Sequence, residues 1–81
     1  MDKSIHTRHY RILIGLIRSE RESRNITQEQ LASMLSVKQA IISKIKNCER
    51  RLDLIELRQV CIALGVPLMD LINKFEERIS K

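Results

Sequence analysis

Lys38, Gln39, Ala40, Ser43, Lys44 and Asn47 form the segment of this chain best equipped for chemistry, and that chemistry is recognition. Two ammonium groups suit phosphate oxygens, two amides offer paired donors and acceptors, a hydroxyl does either, and a methyl meets apolar groups. An exposed helical face of this size fits a duplex major groove, where each base pair shows a distinct donor and acceptor pattern. The remaining inventory points away from catalysis. There is no glycine-rich phosphate loop and no Cys–His constellation, and the carboxylates alternate with basic residues as on solvated helices. His6 and His9 have the spacing of one helical face but no third ligand nearby, so neither a metal site nor a cofactor is expected.

Five helices are needed to position that face. Tyr10, Leu13, Ile14 and Ile17 recur at helical spacing, and the charged run through Arg24 continues the first helix to near Asn25. Thr27 with Gln30 reads as a capping box that opens helix 2 at Gln28, with Leu31, Ala32 and Leu35 on its inner face. Ser36 and Val37 break the chain, and Val37, Ile42 and Ile45 are expected to bury helix 3, which runs to about Asn47. Asp53 with Glu56 repeats the cap and starts helix 4, whose Leu57, Val60, Cys61 and Leu64 make one stripe. Gly65 stops it, Pro67 suits the first turn of helix 5, and Leu68, Leu71, Ile72, Phe75 and Ile79 align there. Residues 1–7 lack an apolar period and are expected to be a loose arm, leaving 8–81 as the domain.

Composition agrees with an all-α bundle. The 81 residues are expected to form one domain with no separate sensor, and a 43% hydrophobic content with Tyr10 and Phe75 as the only aromatics demands an aliphatic core. Fifteen Lys and Arg against ten Asp and Glu leave a net charge of +5, which favours polyanions without proving an encounter with them. Cys48 and Cys61 lack metal-ligand spacing, and neither a signal peptide nor a membrane span is evident, so a reducing cytoplasm is the expected compartment.

Gln28–Asn47, extended back to Arg18 and on to Ile72, resembles the lambda-repressor and Cro-like family, the xenobiotic-response-element type of helix-turn-helix. The resembling pieces are Arg18 with Arg21, TQEQLA at 27–32, IISKI at 41–45, CERRLD at 48–53 and ALGV at 63–66. This resemblance implies a compact five-helix bundle with helix 3 as the reading helix. It implies base contacts for Gln39, Ala40, Ser43 and Lys44, with Gln39 suited to adenine and Lys44 to guanine. It also implies phosphate contacts for Gln28, which would brace helix 3, and for Lys38, Asn47, Arg50 and Arg51.

Three positions depart from the family pattern. Ser36 and Cys48 stand where glycine is usual, at helix ends that call for a left-handed backbone. Lys46 stands where a glutamate usually pairs with the arginine matching Arg21, so it is expected to turn outward, the alternative being an acid such as Glu22 or Glu49 beside it. A redox role for Cys48 is disfavoured, because a helix C-terminus does not stabilise a thiolate. Cys61 reads as a core residue.

Ile55 and Ile62 lie seven apart on helix 4 and off its stripe. With Met69 and Ile79 on helix 5, they are expected to form a dimer contact; Ile12 and Leu16 stand off the main stripe of helix 1 in the same way. The expected function is a sequence-specific transcriptional regulator, a repressor first, that binds double-stranded DNA as a homodimer. The alternative is an antitoxin or other protein-interaction module, with a toxin or polymerase as protein partner.

Overall fold

The computed structural model describes residues 7–80. Its five helices are α1 (Arg8–Ser23), α2 (Gln28–Leu35), α3 (Gln39–Lys46), α4 (Leu54–Leu64) and α5 (Leu68–Ile79), and no strand occurs among the described residues. The expected arm lies outside the described residues except for Thr7. That residue caps α1, its Oγ1 accepting from the Tyr10 backbone N–H at 3.2 Å.

Local signals account for the other helix starts. Both expected capping boxes form: Thr27 and Gln30 satisfy each other's backbone N–H groups at α2, and Asp53 and Glu56 do so at α4. Pro67 sits one residue outside α5, at its N-cap, where its carbonyl accepts from Leu71.

Helices α1 to α4 all end the same way. In each, two backbone N–H groups fold back onto carbonyls of the last turn around one left-handed residue: Asn25, Ser36, Cys48 and Gly65, with φ between 56° and 74°. Only the last is glycine. Ser36 and Cys48 therefore carry a left-handed backbone with a Cβ, at a cost of about 1 kcal/mol each. The helix ending at Cys48 is the usual one, made with an unusual residue.

The core gathers Tyr10, Ile14, Leu16 and Ile17 from α1, Leu31 and Ala32 from α2, Ile42 from α3, four residues of α4, then Val66 and Leu71. α2 packs on α3 and α4, while α1 packs on α5 and touches α3. Two expectations fail here. Leu16 is buried, at 2% exposure, and Ile12 packs against the same core, because a helix with neighbours on two sides buries a wider arc than one stripe. Val37 is 41% exposed, so Ile42 and the half-buried Ile45 carry the burial of α3.

Candidate nucleic-acid interface

Ala32 is 3% exposed, a small buried residue on the α2 that α3 packs against. Three residues, 36–38, separate the two helices. Lys38 is the N-cap of α3 without a side-chain capping bond, so its ammonium group is uncommitted there. Gln39, Ala40, Lys44 and Asn47 are exposed together with Lys38, while Ser43 is half-buried. The Ser43 hydroxyl donates to Gln28 Oε1 at 3.5 Å, a long contact that links the start of α2 to the middle of α3. Gln28 thus sits where a brace is needed. Ser43 is the inner member of the set.

The loop after α3 is held from α1. The Tyr10 hydroxyl donates to the Arg50 carbonyl at 3.1 Å and accepts from the Leu52 N–H at 3.0 Å, bridging about forty residues of sequence. Burial, the largest influence, pushes the Tyr10 phenol up from its ordinary value. Tyr10 looks in sequence like one more apolar stripe residue, and its second role was missed. The available signal was general: a buried tyrosine finds a partner for its hydroxyl. Tyr10→Phe is expected to lower stability by about 1–3 kcal/mol, because it leaves the Leu52 N–H and the Arg50 carbonyl without their partner. Urea unfolding measures that loss, and raised hydrogen exchange across 48–52 localises it.

Arg50, expected at a phosphate, has a partner within the fold. Its guanidinium meets the Glu56 carboxylate at 2.5 Å, and Glu56 at the same time caps α4 through Asp53. The Arg50 hydrogen bond, first among the influences, holds the Glu56 carboxyl below the usual carboxylate range. Arg50 therefore ties its own loop to the start of α4. Arg51 is exposed.

Arg21 also has an internal partner. Its Nη1 donates to the Ile26 carbonyl at 2.7 Å, which closes the α1–α2 connection and replaces the missing glutamate with a backbone oxygen. Lys46 is exposed, as expected, with no acid within ion-pair distance among the described residues. Arg18, Arg21, Gln28 and Lys46 line a small cavity of about 40 Å³. Cys48 is half-buried and Cys61 buried, both as free thiols, and burial pushes the Cys61 thiol up.

The helix pair lies within a stretch and a fold shared with known proteins. A helix-turn-helix family model matches residues 17–71, and an XRE-family like protein from Pseudomonas syringae pv. tomato str. DC3000 is 38% identical over 95% of this chain and 94% of its own, with a TM-score of 0.85. The chain belongs to the Cro/C1-type helix-turn-helix family. Members of this XRE family are non-enzymatic DNA-binding transcriptional regulators, and that is the class of this protein. Two more distant structures share the fold. A point mutant of the restriction-modification controller protein C.Esp1396I is 23% identical over 93% of this chain and 95% of its own, with a TM-score of 0.83. The clp gene regulator ClgR from Corynebacterium glutamicum is 22% identical over 91% and 79%, with a TM-score of 0.79. None of the curated proteins compared with the sequence matches it.

Of the residues expected at a dimer contact, Ile55, Ile62 and Met69 are each more than 60% exposed, whereas Ile79 is half-buried. Leu54 is equally bare, at 63%, and was not anticipated. It occupies the first turn of α4, where the stripe pattern gives no reason to single it out.

Proposed function

We propose that this XRE-family protein is a sequence-specific repressor in the cytoplasm that binds a two-fold related operator as a homodimer. The observation that carries the reading is the uncommitted face of α3, with Lys38, Gln39, Ala40, Lys44 and Asn47 exposed and no ion pair drawing on either lysine among the described residues. Gln39, Ala40 and Lys44 read base edges, with Ser43 as an inner contact. Gln28, Lys38, Asn47 and Arg51 hold phosphates, and Arg50 acts through the loop it anchors. Two α3 helices entering successive major grooves require half-sites about 34 Å apart. Selecting bound sequences from a random duplex pool checks this directly, since a single unpaired site with no two-fold relation contradicts the homodimer reading.

The bare aliphatics supply the dimer contact. Ile62, in the last turn of α4, and Met69, in the first turn of α5, flank the short connection 65–67, and Ile55 extends the face two turns back along α4. Single exposed aliphatics are ordinary, but a set on two adjoining helices is what an isologous interface buries. Ile55→Glu with Ile62→Glu is expected to give a folded monomer in sedimentation equilibrium. Its affinity for the full operator should fall roughly 10²- to 10⁴-fold, because joint binding of two half-sites is lost.

A further inference from the structure

Gly15 sits in the middle of α1, where only proline is less favourable than glycine, and no backbone or packing need among the described residues accounts for it. Its backbone is not among the left-handed ones, so no turn requires it. A Cβ built there meets nothing within 4 Å, so no neighbour requires the space. What the glycine does is leave the helix surface low, one turn after Arg11 and one turn before Arg18. These three residues line a concavity of about 210 Å³ together with Ile14, Lys46 and Cys48.

Three cations thus border one recess. Among the described residues Arg11 and Lys46 have no acid within ion-pair distance, and Arg18 has only an exposed 3.4 Å contact with Glu22. A lysine in the last turn of a helix suits the macrodipole, which explains Lys46 but neither Arg11 nor the glycine. Cations that line one small space can all reach an anion placed in it, and guanidinium groups suit tetrahedral oxyanions. We propose that Arg11, Arg18 and Lys46, with Gly15 as the floor, form a binding recess for a phosphate group. Arg18 and Lys46 also line the cavity reached by Gln28, so the recess adjoins the start of α2.

The phosphate comes either from a duplex backbone or from a free phosphorylated molecule. The duplex source rests on the proposed placement of α3 on DNA, and the free source does not. Two variants test both: Arg11→Gln with Lys46→Gln, which removes charge, and Gly15→Gln, which keeps every charge but fills the recess with a helix-favouring side chain. Inorganic pyrophosphate added at low salt should move the Gly15 and Cys48 amide resonances of the unaltered protein saturably, and both variants should lose that response. Duplex affinity measured across salt concentrations then separates the sources. If the backbone is the ligand, the slope of log K against log salt becomes shallower by about one per phosphate lost, in Gly15→Gln as well, with the preference for specific sequence unchanged. An unaltered slope with a lost pyrophosphate response assigns the recess to a free phosphate. The proposal is overturned if pyrophosphate does not act differently on the three proteins and Gly15→Gln keeps the original slope. Failure of the α3 placement is a separate result, since it leaves the pyrophosphate response standing.

Discussion

Gln39→Ala combined with Lys44→Ala is expected to abolish the preference for specific over random duplex while leaving the fold intact. Each base pairing of this kind discriminates by about 1–3 kcal/mol, so the pair is worth roughly 2–6 kcal/mol, or about two to four powers of ten in the specificity ratio. Both side chains are exposed and, among the described residues, neither makes a hydrogen bond or ion pair that the fold needs, so far-UV circular dichroism and melting temperature should hardly change. Competition binding with random duplex at fixed salt measures the ratio. Persistence of specific binding in the double variant would move the reading face away from α3. Ser43→Ala makes a useful contrast, because Ser43 also touches Gln28, and its loss should weaken binding to all sequences along with specificity.

Leu16→Ala is expected to destabilise the protein by about 2–5 kcal/mol, the range for removing a well-packed leucine and leaving a cavity. A domain of this length has a total stability of roughly 4–12 kcal/mol, so the change takes a large share of it. Urea unfolding should show a lower midpoint with little change in slope. The same substitution in a residue facing solvent would cost a few tenths at most, which makes this a sharp test of where Leu16 points. A shift under about 0.5 kcal/mol would contradict its 2% exposure.

Leu16 also shows where sequence patterning stops. The stripe Tyr10, Leu13, Ile14, Ile17 is visible because one face of a helix repeats every three or four residues, and it turns inward as expected, with Leu13 only half-buried. Leu16 lies off the stripe, and nothing in its neighbours announces that α1 is flanked by α5 and α3 at once. Val37 errs in the opposite sense. A valine beside a turn reads as buried, yet it follows the left-handed Ser36 and ends 41% exposed.

The recognition segment was legible almost throughout. Both capping boxes, the turn at Ser36 and, apart from the half-buried Ser43, the exposed set on α3 follow from residues no more than a few positions apart, and interactions of that range survive whatever the rest of the chain does. Arg50 has an internal partner that the sequence did not announce. Its charge and place in the loop suggest phosphate, and Glu56 on the next helix also lies within ion-pair distance of it.

By itself, then, the sequence determined the five helices, their starts and stops, the helix-turn-helix and the polar face it presents, because all of these are encoded by periodicity and capping within one or two turns. Tertiary structure alone decided the partners that span the chain. Tyr10 clamps the loop at 50–52, Arg21 is satisfied by the Ile26 carbonyl, Leu16 turns inward, and Gly15 borders a recess lined by cations drawn from two helices. Those outcomes depend on which helix faces lie against each other, and side-chain reach across a packed interface is not a property of local spacing.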